Sequence, residues 1–246
     1  MRAIDLNCDM GEGCANDAEL MTFVSSANIA CGSHAGDIDT MKRTVELALA
    51  NGVAIGAHPG YPDREGFGRQ PMSLSPKEVF EIVQEQIATL IGVCDELGAA
   101  LHHVKPHGAL YNQAAKDREL AASIAEAVRG IDAALVLYGL SGSALIYEGK
   151  AAGLMTASEV FADRTYSSDG TLTPRSEPGA LITELEQSIL QIFQMIELGT
   201  VASTSGENIA IESATICVHG DGPNAVMFAS SVRSALTTKG IRIQTV

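Results

Sequence analysis

The chain has 246 residues, 46% of them hydrophobic and 19% charged, with a formal net charge of −14 at pH 7. That length suits one α/β barrel domain spanning 1–246 with a sizeable core, and no stretch approaches the ~20 uninterrupted apolar residues of a membrane helix. The acidic balance excludes nucleic acid and anionic membrane surfaces as partners, so an anionic substrate has to be met by a few local cations.

The first apolar run, AIDLNC (3–8), passes straight into DMGEG. No long apolar leader or small-residue cleavage site precedes it, which predicts a cytoplasmic protein. Six further β-rich runs follow: ANIAC (27–31), VAIGAH (53–58), ALHHVK (100–105), ALVLYG (134–139), MTASEVFA (155–162) and TICVHG (215–220). Amphipathic stretches between them predict helices at about 37–51, from Pro76 to just before Gly98, and at 117–129, 178–198 and 223–239. The second begins SPKEVF, where Ser75 as N-cap, Pro76 in the first turn and Glu78 as reciprocal partner form a capping box. This alternation predicts an α/β fold, a single-domain parallel β/α barrel of seven strands, one fewer than the common eight.

Two connections are long for simple turns, 59–76 and 163–179, and both carry charges and glycines, so they are expected to cover a site. STSGEN (203–208) reads as a turn within the domain. The five cysteines, Cys8, Cys14, Cys31, Cys94 and Cys217, are odd in number and lack a C-x-x-C pair, so neither a disulfide framework nor a zinc knuckle is indicated. Cys94 and Cys217 read as small buried fillers.

Polar residues gather where the strands end: DLNCDMGEG, NIACGSHAGD, GAHPGYPD, VKPHGALYN, EVFADRTY and CVHGDGPNA. In a parallel barrel the carboxyl ends of all strands share one face, where active sites are built. Four of the six histidines, His34, His58, His107 and His219, lie at these tips, each with a glycine within two positions. Asp9 with His34 and His58, and with Glu12 beside them, could hold a divalent metal, since carboxylates and imidazoles supply mixed N/O ligands. The competing role for the same groups is proton transfer near neutral pH. Lys105 reads either as an ion pair with Asp9, Glu12 or Asp163, or as the cation that meets a substrate anion. Arg164, beside Asp163, suits a carboxylate, and Arg175 in the long loop could add a second anion contact. Within HHVKPHGALYN, strand parity puts His103 on the face of Lys105 and leaves His102 as packing. There is no G-x-S-x-G elbow, no P-loop sequence and no G-x-G-x-x-G after a strand, which removes serine-esterase, autonomous P-loop ATPase and Rossmann readings.

These blocks, in this order along nearly the whole chain, resemble the LamB/YcsF family of lactam-utilisation proteins, known as the A subunits of 5-oxoprolinase. The resemblance implies a seven-stranded barrel variant akin to metal-dependent polysaccharide deacetylases. It implies hydrolysis of the lactam of 5-oxoproline to L-glutamate with ATP converted to ADP and phosphate, together with partner subunits B and C. The shared blocks carry Asp9, Glu12, His34, His58, Lys105, His107, Asp163, Arg164, His219 and Asp221. Among these, Asp9, Lys105, His107 and Asp163 are assigned to catalysis, with Asp9 or His107 as general base. Glu12, His34, His58, Arg164, His219 and Asp221 are assigned to substrate binding. The chain departs from the family pattern at Cys8 and Met10, in a block that usually reads Asn-Ala-Asp-Leu-Gly-Glu, and at Cys14, which replaces an aromatic. The alternatives are a stand-alone metal-dependent deacetylase or amidohydrolase, and a non-catalytic substrate-binding subunit.

Overall fold

The computed structural model describes residues 2–219 and 224–246. Alternation along the first strand, β1 (Ala3–Met10), sets the architecture. Ile4, Leu6, Cys8 and Met10 join the core packed between strands and helices, whereas Asp5, Asn7 and Asp9 reach across the barrel. This is the period-2 alternation of a strand with two unlike faces.

The remaining strands are β2 (Ser26–Ala30), β3 (Ala54–His58), β4 (Leu101–Val104), β5 (Val136–Leu140), β6 (Met155–Phe161), the short β7 (Thr200–Ala202) and β8 (Asn208–Ala210), β9 (Thr215–Val218) and β10 (Arg242–Ile243). Seven of them pair in parallel in the order β1-β2-β3-β4-β5-β6-β9, and β9 returns to β1 with Leu6 opposite Ile216, closing the barrel. The predicted strand count holds. The strands β7 and β8 form a separate antiparallel hairpin around the STSGEN turn, and β10 extends the start of β1.

The helices are α1 (Asp17–Leu20), α2 (Ile38–Asn51), α3 (Pro76–Glu96), α4 (Gly108–Ala114), α5 (Arg118–Ile131), α6 (Ala144–Ala151), α7 (Leu185–Phe193) and α8 (Ala225–Thr238). Helix α3 opens with the predicted capping box, Ser75 and Glu78 each bonding the other's backbone N–H. Asp37 and Asp117 cap α2 and α5 by accepting from Thr40 and from Glu119 and Leu120. The helix expected from 178 starts at Leu185 instead. Pro178 and Gly179 lie in a loop whose ends are tied together, Ile182 N–H donating to the Asp163 carbonyl at 2.8 Å, so this backbone closes the loop rather than a helical turn. Beyond Phe193 the helix widens into a π turn, Gln194–Leu198, ended by Gly199. Among the described residues, no helix is long and apolar enough to cross a membrane.

Inside the barrel, a hydrogen-bonded polar column replaces the layers of branched apolar side chains usual in eight-stranded barrels. At the bottom, the Asp5 carboxylate accepts from Ser25, Ser26, Tyr138 and Thr215 at 2.6–3.1 Å. One layer up, Asn7 donates to Thr215 and Glu159, and Asn28 donates to Asn7 and Asp9. His103, fully buried on the predicted inward face, donates from Nε2 to Asn28 Oδ1 at 2.8 Å and stacks on Tyr138. Its ring lies flat over Gly56, where any Cβ would overlap it, so the absence of a side chain on β3 makes the space for the histidine on β4.

Candidate functional site

Above this column the strand tips open into a cleft of about 740 Å³. Asp9, Glu12, His58, Lys105, His107, Arg164 and His219 all border it, so tips separated by up to 210 positions meet as expected from barrel geometry. Both long loops contribute walls, through Arg69, Gln70 and Pro71 and through Thr171–Ser176.

Lys105 sits on the cleft floor, 2% exposed. Its ammonium lies 2.9 Å from Asp9 Oδ1, 2.8 Å from Glu159 Oε1 and 3.2 Å from both Asn7 Oδ1 and Cys217 Sγ. Three N–H groups thus face four acceptors, and no donor is left over for a ligand. Burial pushes the Lys105 ammonium down, but Asp9, Cys217 and Glu159 together override it and hold it well above its ordinary value. Burial likewise pushes Asp9 up while His58 and Lys105 hold it well below the carboxylate range. The ion pair with Asp9 was among the sequence expectations. Glu159 was not, although it is completely buried and also accepts from Asn7 and from the Tyr111 hydroxyl at 2.7 Å. A glutamate as the one charged residue inside the strand run MTASEVFA was its signal.

Beside this cage three imidazoles and one carboxylate converge. Glu12 Oε1 lies 3.1 Å from His34 Nε2, 3.3 Å from His107 Nδ1 and 3.8 Å from His58 Nε2, and the last two nitrogens are 2.9 Å apart. His34 stacks on His107 with centroids 3.8 Å apart and planes 2° from parallel. The 59–75 loop is moulded over the rings. A Cβ on Gly68, at φ +63°, would stand 2.8 Å from His34 and 2.9 Å from His107. Arg64 ties the loop to the carbonyls of Gly32 and Gly36, and Gln86, reaching up from α3, brackets the Gly60 backbone with two 2.9 Å bonds. Burial pushes His34 down to about 4 and lowers His107. For His58 burial also acts downward, but the adjacent Asp9 wins and raises it. Burial pushes Glu12 up, yet the adjacent His107 and His34 imidazoles hold it far below the usual range.

Across the cleft, His219 Nδ1 lies 2.8 and 2.9 Å from the two Asp163 oxygens. A carboxylate accepts only, so Nδ1 carries a proton, and in the neutral ring it is Nε2 that presents the lone pair. Burial raises the Asp163 carboxyl, but His219, with Arg175 and Arg164 behind it, keeps it below its ordinary value. Arg164 is 4% exposed and donates to the Thr173 carbonyl at 2.6 Å and the Ala180 carbonyl at 3.3 Å. It therefore braces its own loop, and burial followed by the nearby Arg175 brings its guanidinium down to about 10. Asp221, also expected in the site, lies outside the described residues.

A model of the LamB/YcsF family matches residues 4–246. This chain belongs to the LamB/YcsF family. It is 55% identical over 247 residues to the 5-oxoprolinase A subunit of Bordetella parapertussis, covering 98% of both chains. It is 54% identical to the protein of the same name from Geobacillus kaustophilus, covering 99% of this chain and 97% of that one. Among solved structures, the lactam utilization protein of Thermus thermophilus superposes with a TM-score of 0.92 at 43% identity, covering 99% of this chain and 100% of the other. A peptidoglycan deacetylase, PdaC of Bacillus subtilis, matches at TM-score 0.52 and 12% identity, covering 100% of this chain and 88% of that one, a likeness of fold alone.

Proposed function

We propose that this chain is the A subunit of a 5-oxoprolinase, converting 5-oxoproline to L-glutamate with ATP hydrolysed to ADP and phosphate, and requiring partner subunits B and C. The observation that carries the reading is the end-to-end match to relatives bearing that name. A strand-tip cleft holding an oriented Asp163–His219 pair gives the chemistry a place.

A five-membered lactam is a stabilised amide, and phosphorylation of its carbonyl oxygen by ATP makes the carbon a better electrophile. With no P-loop sequence in this chain, the nucleotide is handled with the partner subunits. The barrel's part is to hold the ring and direct water onto the activated carbon. His219 is the general base: Asp163 fixes its tautomer, and Nε2 takes a proton from the attacking water. The carbon–nitrogen bond then breaks, the freed amine takes up a proton as it leaves, and a second water hydrolyses the resulting acyl phosphate to the glutamate carboxylate and inorganic phosphate. His107 is less suited, because both of its ring nitrogens already face partners. Lys105 and Arg164 hold contacts within the protein. Arg69 and Arg175 line the cleft wall and bring to it the positive charge that a substrate carboxylate would meet.

The test is reconstitution. The isolated chain should form little glutamate from 5-oxoproline and ATP, and adding subunits B and C should restore it. In that complex His219→Asn should lower kcat by about 10²–10⁴-fold with a smaller change in KM. Full ATP-dependent turnover by the chain alone would sink the division of labour, and ATP-independent, chelator-sensitive hydrolysis would support a stand-alone amidohydrolase instead.

A further inference from the structure

The two histidines at the centre of the imidazole cluster face each other in a way that neutral rings do not tolerate. His58 Nδ1 lies 2.7 Å from the Lys105 carbonyl oxygen, and His107 Nε2 lies 2.8 Å from the Phe67 carbonyl oxygen. Carbonyls only accept, so each of these nitrogens carries its ring's proton. The nitrogens left over, His58 Nε2 and His107 Nδ1, are then both bare lone pairs, yet they stand 2.9 Å apart. With no donor between them, a positive charge has to lie there.

We propose that Glu12, His34, His58 and His107 form a binding site for a divalent transition-metal ion of the Zn²⁺ class. The dimensions support it. Zinc–nitrogen and zinc–oxygen bonds of about 2.0–2.1 Å around a tetrahedron place neighbouring ligand atoms about 3.3 Å apart. The four separations at 2.9, 3.1, 3.3 and 3.8 Å bracket that edge, and all four ligand atoms lie within 4.8 Å of one another. His34 holds Nε2 toward the same point through its stack on His107, and its Nδ1 has no hydrogen-bond partner among the described residues. Three imidazoles and one carboxylate suit zinc, nickel, cobalt or ferrous iron, whereas magnesium and calcium take nearly all-oxygen shells. The Lys105 and Phe67 carbonyls are the outer contacts that fix the tautomer of a metal-binding histidine.

This ligand set keeps Glu12, His34 and His58 from the sequence expectation and has His107 in place of Asp9. Asp9 stands next to His58, with Oδ2 at 3.3 Å, but its Oδ1 is engaged by Lys105 and Asn28. A second convergence, of Asp9, Cys217 and His219, carries no metal proposal, because the Lys105 ammonium already touches both Asp9 and Cys217. The metal proposal does not depend on the lactam reading.

The competing occupant is a proton, which would make His58 an imidazolium hydrogen-bonded to His107 or Asp9. Metal analysis separates the two. The chain, purified without a histidine tag or chelator, should contain one transition-metal ion per molecule. After stripping, it should take up Zn²⁺ in calorimetry and melt at a higher temperature when Zn²⁺ is added. Reloaded with Co²⁺, it should show the intense visible absorption of a four-coordinate site. Glu12→Gln and His107→Gln, which keep side-chain size near the original, should each bind Zn²⁺ more than ~10-fold more weakly, while Asp163→Asn binds as the wild type does. Should either variant fail to fold, the stripped wild-type titration decides alone. A chain that purifies without metal, takes up no Zn²⁺ and melts unchanged in its presence would overturn the proposal in favour of the proton.

Discussion

The Lys105 cage and the histidine cluster lie side by side on the same rim, share Asp9 as a neighbour and are equally buried, yet they are opposites in hydrogen-bond accounting. Around Lys105 donors and acceptors match: an ammonium, two carboxylates and an asparagine carbonyl, with Glu159 further satisfied by Asn7 and Tyr111. Around Glu12 the outer nitrogens are satisfied by carbonyls and the inner ones are not, because their lone pairs point at each other. A buried polar group without a partner costs about 1–3 kcal/mol. Matching therefore marks structure in the first region, and its absence marks a place for something the chain itself does not supply in the second.

The largest effect should come from breaking the matched region. Lys105→Ala leaves the Asp9 and Glu159 carboxylates facing each other with their cation removed, which for a buried pair costs about 3–5 kcal/mol. At this chain length that corresponds to a fall in Tm of roughly 6–20 °C, readable by circular dichroism. If the variant melts with the wild type but the reconstituted enzyme is dead, the cage is not structural and Lys105 returns to its other role, as the cation for a substrate anion.

What the sequence displayed and what it hid follows the same division. Strand tips were legible because each carries its polar residues next to a glycine, so His34, His58, His107 and His219 could be placed on one rim from local pattern alone. The inward turn of His103 followed from parity with Lys105. Partnership was not legible. Glu159 meets Lys105 only because β6 and β4 lie on the same closed barrel, and nothing near either residue encodes that register. Arg164 looked like an anion binder since a guanidinium beside a tip usually is one, but its guanidinium donates to the Ala180 and Thr173 carbonyls of the loop it braces, contacts that have no sequence signature. The late start of α7 has the same origin: residues 178–184 belong to that loop's closure.

A smaller effect should come from crowding the floor beneath the cage. Gly56→Ala places a methyl group inside the His103 ring position, and the ring is held from the other side by Tyr138 and at its tip by Asn28. Overpacking of this kind costs about 1–3 kcal/mol, and melting temperature should drop accordingly. If the polar column is as rigid as its matched hydrogen bonds imply, Gly56→Ser should be no better tolerated. A variant that melts within error of the wild type would mean that the His103 ring swings aside freely and that the matched region is softer than its hydrogen bonding requires.

The smallest effect tests the Asp163–His219 pair, which is matched like the cage but opens to the cleft like the cluster. The folded Asp163 carboxyl ionises below its ordinary value, with His219 overcoming the upward push of burial. The stabilisation from this ionised form is therefore complete above about pH 4, where an unfolded aspartate is also ionised, and is lost as pH falls through the lower folded value. Asp163→Asn removes the titrating group. Above about pH 4 the two proteins should differ by a constant amount, on the order of 1 kcal/mol as for one hydrogen bond. On further acidification the wild type should lose stability faster until the gap closes, as followed by thermal melting across the acid range. A gap that stays constant down to the lowest pH at which both proteins fold would mean that Asp163 is not ionised against His219. The carboxylate would then not be the group that fixes the His219 tautomer, and its place beside the proposed base would be one of packing alone.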